Sequence, residues 1–267
     1  MKQFRYAANC GVTYGYFPLF TSLGFGNAFS CRMNGQSDIV EKGFNLALHV
    51  GDNQDKVLKN RARYAESLGL DNARFTTCEQ VHGTNVVVVN KVNLGSGAFD
   101  YSESIKNADA LVTAQAQIPL LLFFADCVPV IFADPVRKAI GIAHAGWRGT
   151  VGDIACITAK TMMSELGCQA NNIIAAIGPS IGKCCYKVDE MVWQAGKKHA
   201  DCFVPLDTGE YELDLQKWNR LSLVESGVQE SNIFCADVCT CCNNERFFSY
   251  RAENMKTGRM GVVLWRK

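Results

Sequence analysis

The sequence predicts a mixed α/β (α+β) domain built from mixed β-sheets and helices. Three observations carry that expectation. Five short apolar segments, rich in β-branched and aromatic residues, follow one another between residues 84 and 145. Segments of helical periodicity flank them on both sides. Helices and strands do not alternate in the strict rhythm of a doubly wound parallel fold, which favours mixed sheets. No internal repeat, low-complexity tract or Pro-rich linker divides the 267 residues, so a single domain over 1–267 is expected.

Taken in order, "QDKVLKNRARYAESLG" predicts the first helix, with Val57, Leu58, Ala62, Ala65 and Leu68 at helical spacing. Asp52 or Asn53 can cap it and Gly69 can stop it, while "KNRAR" at 59–63 reads as a solvated face. The strands follow as "TNVVVVN", "ALVTA", "PLLLFFA", "VPVIFAD" and "KAIGIAHA". Where no polar residue alternates, such strands are buried on both faces. A second helix is predicted over "TVGDIACITAKTMMSELG", then a strand at "NIIAAIGPS". Helices around 189–200 and 214–226 and strands at "NIFCAD" and "GRMGVVLW" complete the chain.

Composition narrows the function. Hydrophobic residues make up 48% and charged residues 20%, as in ordinary globular proteins, and the formal net charge is +1. That balance gives no electrostatic footprint for nucleic acid or an anionic membrane. The N-terminal stretch lacks the apolar core of a signal peptide, and no apolar run is long enough to span a bilayer. The thirteen cysteines are therefore expected to be reduced thiols in a cytoplasmic protein, most of them small buried hydrophobes.

Of four histidines, two stand at the ends of apolar strands beside glycine, in "EQVHGTN" and "IAHAGWRG". Between them "FADCVPV" places an acid and a thiol inside an otherwise apolar strand, where an unpaired charge is costly. If the three strands share one sheet or barrel, His82, Cys127 and His144 converge at one rim. A thiolate and two neutral imidazoles suit Zn²⁺, one ion per chain, with a fourth position left for water. Asp126 is placed to orient a ligand imidazole, and Arg148 to hold an anion such as phosphate. A histidine or cysteine met singly at such a position is usually structural; the coincidence of three carries the reading. His49 and His199 are read as structural or surface residues.

Other motifs carry less. "GPSIGKCC" lacks P-loop spacing, and neither His-Glu-x-x-His nor the zinc-deaminase signature occurs. "CTCC" at 239–242 contains Cys-x-x-Cys without a second pair at zinc-ribbon spacing, so packed or loosely exposed thiols are expected. Cys184 and Cys185 could join it only through long-range approach.

"EQVHGTNV", "ADALVTA", "FADCVPVIFADP" and "AHAGWRGTVGDI" resemble the laccase-domain family, first described as multicopper polyphenol oxidoreductases and also called peptidoglycan editing factor. "FNLALHVGDN", "IGPSIGKCCYKV" and "CTCCNNERFFSYRAENMKTGRM" fit in the same order. The resemblance implies mixed sheets sandwiched by helices, similar to the catalytic domain of cytotoxic necrotising factor. It implies a metal, usually zinc, on His82, Cys127 and His144. It also implies purine nucleoside chemistry: phosphorolysis of adenosine, inosine and methylthioadenosine, and deamination of adenosine. The partners are then a purine nucleoside and phosphate. In that setting Asp126 is the candidate proton shuttle, with Asp109 the other carboxylate to consider. Arg148 and Lys183 are candidates to hold phosphate, and Asn45 to bind substrate.

Three alternatives stand beside this reading. A copper-dependent polyphenol oxidase would use the same two imidazoles and thiolate, with copper in place of zinc and a methionine as axial partner. A trinuclear oxygen-reducing cluster, however, needs more imidazoles than four histidines supply. An editing hydrolase for peptidoglycan precursors would use the same metal site. A cysteine hydrolase would take Cys127 as nucleophile and His144 as base.

Overall fold

The structure, a computed structural model, describes residues 4–266. The expected domain, 1–267, reaches beyond them only at residues 1–3 and 267. The chain opens with β1 (Arg5–Asn9), β2 (Val12–Tyr16), the short helix α1 (Pro18–Ser22) and β3 (Phe25–Ser30). Helix α2 (Gln54–Leu68) precedes β4 (Val86–Val88), β5 (Ala110–Thr113), β6 (Leu120–Phe124), β7 (Val128–Asp134) and β8 (Ala139–Ala145). Then come α3 (Trp147–Val151), α4 (Ile154–Leu166), β9 (Ile174–Ile177), β10 (Lys187–Val188) and α5 (Glu190–Ala195). The chain closes with β11 (Phe203–Pro205), β12 (Tyr211–Leu213), α6 (Leu215–Glu225), β13 (Ile233–Cys235) and β14 (Met260–Arg266).

Two sheets form the centre. One is antiparallel, in the order β1-β2-β3-β14-β6. The other is mixed, in the order β13-β9-β7-β8-β5-β4, with parallel pairs at its two edges. β10, β12 and β11 make a small separate sheet. Strand alternation decides the layering. Ile131, Ile140 and Ile142 of the mixed sheet meet Phe29, Leu122 and Val262 of the antiparallel one. The opposite residues, such as Val130, Phe132 and Ala143, meet Ala159 and Met162 of α4 and Trp218 of α6. Helix α2 covers the outer face of the antiparallel sheet through Tyr64 and Ala65. The sheets are thus sandwiched by helices, as expected, and every residue of β5 to β8 is buried. No helix among the described residues is long and apolar enough to cross a membrane.

Two features of the helices differ from expectation. Asn53 caps α2 by accepting from the Lys56 amide, and Gly69 ends it at φ 67°. But "KNRAR" is not wholly solvated: Arg61 is 2% exposed. Its Nε donates to the Leu46 carbonyl at 2.7 Å, and one terminal nitrogen donates to the Gly97 and Ala98 carbonyls. Those loop carbonyls have no ladder partner, so a fixed cation answers a demand that a helical pattern does not reveal. The helix expected over "TVGDIACITAKTMMSELG" is two helices, because Asp153 takes φ 61° and its carboxylate turns to Lys198 and Ser222.

Arg61→Met keeps the stem and removes the donors. In urea titrations it should lower the unfolding free energy by roughly 2–4 kcal/mol; an unchanged midpoint would mean those carbonyls find other partners.

Candidate metal centre and adjoining cavity

β6 belongs to one sheet and β7 to the other, so Ala125, Asp126 and Cys127 cross between them where the sandwich ends. Asp126 makes the turn at φ 80°, a strained value for a residue with a side chain. β7 lies beside β8 with Pro129 opposite His144, which sets Cys127 next to the end of β8. His144 points between the sheets, its ring centroid 5.4 Å from that of Phe124.

His82 comes from the loop before β4, at φ 60°. That loop lies flush on α3 because Gly146, Gly149 and Gly152 present no side chain. A Cβ on Gly146 would stand 2.9 Å from His82 Cδ2 and 3.0 Å from Cys127 Sγ. One on Gly152 would stand 2.5 Å from Thr84 Cγ2. The glycines spaced through "HAGWRGTVG" therefore serve close approach.

These constraints bring the three expected residues together. The His82 and His144 ring centroids are 4.8 Å apart, and His82 Nε2 is 3.9 Å from Cys127 Sγ. One donor atom from each residue lies within 4.8 Å of the other two, an arrangement able to hold a cation. His144 is buried, Cys127 half-buried and His82 exposed, so the cluster opens on one side.

The orienting carboxylate is Asp109, not Asp126. His144 Nδ1 lies 2.8 Å from Asp109 Oδ1, and the Val81, His82 and Gly83 amides donate to the same carboxylate at 3.2, 2.9 and 2.6 Å. Burial pushes the Asp109 pKa up, but His144 and these amides outweigh it and hold it below the usual carboxylate range. Asp126 instead accepts from the Thr240 and Ser249 hydroxyls and the Arg251 amide, at 2.6, 3.1 and 2.7 Å. It fastens two later loops to the sheet junction. Spacing in the sequence favoured Asp126 because it adjoins Cys127; only β5 pairing with β8 brings Asp109 to His144.

A cavity of about 570 Å³ adjoins the cluster, within the range of small-molecule sites. His82, Cys127 and Asp126 form one wall, and Trp147, Tyr186 and Tyr250 supply aromatic surface. Arg148 lines it too, exposed and stacked 4.3 Å from the Trp147 ring centroid. It makes no ion pair among the described residues. Arg251 is also present, but its guanidinium donates to the Cys185 and Lys187 carbonyls.

Two expected residues are not at the cavity. Asn45 is fully buried, accepting from the Ala47 and Arg259 amides and donating to Ala47 and Asp52. Its amide is spent on loop structure. Lys183 is exposed and outside the lining. Tyr186 and Tyr250, not singled out in the sequence, line it instead. His49 packs its ring 5.0 Å from Tyr101 and 5.9 Å from Phe123. His199 sits 3.4 Å from Glu225, away from the cluster.

Partial burial alone would raise the Cys127 pKa, yet the charge and hydrogen bonds of His144, and then of His82, pull it well below the ordinary thiol range. Burial likewise opposes protonation of His144, and the Cys127 thiolate and Asp109 overcome it. With chelator present, alkylation of Cys127 followed by peptide mass should reach half its plateau rate well below pH 8.5, the approximate midpoint of an ordinary thiol. A midpoint at or above that value would separate the thiolate from the imidazoles.

The family model for multi-copper polyphenol oxidoreductase laccase matches residues 26–267. Purine nucleoside phosphorylase YlmD of Geobacillus stearothermophilus is 40% identical over 241 residues, covering 88% of each chain. Adenosine deaminase RL5, from an unknown prokaryotic organism, is 34% identical over 230 residues, covering 84% of this chain and 87% of its own. The crystal structure of Geobacillus stearothermophilus YlmD superimposes with a TM-score of 0.94 at 36% identity, covering 100% of both chains. With its sequence and its fold both matching, the chain belongs to the multi-copper polyphenol oxidoreductase laccase family.

Proposed function

We propose that this protein is a zinc-dependent purine nucleoside enzyme whose site is the cavity beside His82, Cys127 and His144. The observation that carries the reading is the pairing of that donor cluster with an aromatic wall and the unpaired guanidinium of Arg148 in one cavity. Relatives named purine nucleoside phosphorylase and adenosine deaminase support it.

The residues fit a zinc ion. One thiolate and two imidazoles are a borderline-soft donor set, and Asp109 fixes the His144 tautomer by occupying Nδ1, leaving Nε2 for the cation. When bound, such an ion supplies Lewis-acid and water-acidifying chemistry. The chain does the rest. Trp147, Tyr186 and Tyr250 offer faces on which a purine ring stacks. Arg148 holds the phosphate and directs one of its oxygens toward the sugar. In phosphorolysis the bond from C1′ to the purine nitrogen breaks and its electron pair leaves with the base, which takes up a proton. A phosphate oxygen then bonds C1′, giving ribose 1-phosphate. Adenosine deamination, exchanging the amino group for oxygen from water with release of ammonia, is the second reaction, supported by the named deaminase relative.

The test is to incubate the metal-replete protein with inosine or adenosine, with and without phosphate, and to resolve the products. Hypoxanthine or adenine released only with phosphate supports phosphorolysis, and inosine from adenosine supports deamination; neither product overturns the reading. In the same assay Arg148→Ala should raise KM for phosphate roughly 10- to 100-fold, the loss of a charged hydrogen bond, with little change in KM for the nucleoside. Asp109→Asn should weaken zinc binding about 10- to 100-fold, measured by competition with a chromogenic chelator. Unchanged affinity would remove Asp109 as the residue that positions His144.

A further inference from the structure

The cysteines that the sequence leaves as packed or loosely exposed thiols are gathered in space. "GPSIGKCC" and "VCTCC" run side by side: the Ser180 amide donates to the Val238 carbonyl at 3.2 Å, and the Thr240 amide to the Ser180 carbonyl at 3.0 Å. Where this short parallel bridge ends, the sulfurs of Cys184, Cys185, Cys239 and Cys242 all lie within 4.8 Å of one another. We propose that these four thiols form a second metal site, a zinc tetrathiolate, separate from the His82–Cys127–His144 cluster.

Three observations support this assignment. Cys242 Sγ lies 3.6 Å from Cys184 Sγ and 3.4 Å from Cys185 Sγ. A tetrahedron of thiolates at the usual zinc–sulfur distance has edges of about 3.8 Å, whereas a disulfide needs about 2.05 Å. Cys242 approaches both partners at once; a disulfide could satisfy only one, while a shared cation satisfies all. Second, Cys239 Sγ accepts the Gly182 amide at 3.2 Å and the Cys242 amide at 3.5 Å. Amides directed at a sulfur favour its thiolate form. Third, Gly182 is where a side chain would intrude: its Cβ would stand 3.2 Å from Cys239 Cβ and 3.3 Å from Cys184 Sγ. Four soft sulfur donors, with no carboxylate or imidazole among them, select zinc over magnesium or calcium.

The site clamps two loops that shape the cavity. Cys185 precedes Tyr186, which lines it, and Thr240, between Cys239 and Cys241, holds Asp126 beside Cys127. A cation there ties the aromatic wall to the sheet junction without touching the substrate.

The test uses Cys127→Ala, which removes the first cluster's thiolate, so the two sites are read separately. Purified under reducing conditions, this variant should retain about one tightly held zinc per chain, and cobalt in its place should give the intense visible absorption of a tetrahedral thiolate complex. Adding Cys239→Ser and Cys242→Ser should abolish both signals. Zinc content unchanged by the serine substitutions, or no thiolate–cobalt absorption in Cys127→Ala, overturns the site. Should the serine variant not fold, the wild-type protein gives the answer by alkylation and peptide mass. Cys184, Cys185, Cys239 and Cys242 should be protected until a strong chelator is added. Equal labelling before and after chelation, or disulfides among these residues, overturns it.

Discussion

The carboxylate of Asp109 is wholly withdrawn from solvent and gathers three backbone amides from the His82 loop and the His144 ring. An unpaired charge at that depth would cost several kcal/mol or take up a proton; four donors keep it ionised. The consequence is geometric. One group fixes the backbone from which His82 projects and the tautomer in which His144 presents its other nitrogen. The positive φ of His82, a conformation costing on the order of 1–3 kcal/mol, persists because the amides around it are all engaged.

The second constraint is the parting of the sheets. The link from β6 to β7 changes sheets in three residues, which places Asp126 and Cys127 at an edge where backbone groups lack ladder partners. Asp126 is consumed by that edge, anchoring Thr240, Ser249 and Arg251, and Cys127 is left facing the histidines and the cavity. Adjacent residues of one motif thus divide between the later loops and the histidine cluster. The division arises at the turn, where Asp126 at φ 80° takes its hydrogen bonds from the later loops while Cys127 meets His82.

Much of the core was legible because its signal is local. "VPVIFAD" and "KAIGIAHA" are apolar on both faces, and they became the fully buried strands β7 and β8. Asn53 and Gly69 delimit α2 by hydrogen bonding and φ, properties that belong to those residues. The N-terminal strands β1 to β3 were not anticipated, since β1 and β2 are largely exposed or half-buried and lack a clean alternation. β10 to β12 are too short to show a period. Arg61 and Asn45 were misplaced for one reason: each answers carbonyls or amides of loops remote in the chain.

By itself the sequence determined the mixture of sheets and helices and singled out two histidines and a thiol at the ends of apolar strands. Those rest on side-chain polarity, periodicity and turn chemistry, which act over a few residues. Tertiary structure decided which carboxylate serves the histidines, which arginine is left unpaired at the cavity, and that two distant cysteine pairs meet. Each of those depends on strand order and on loops brought together across the fold, and no local pattern encodes which strand lies beside which.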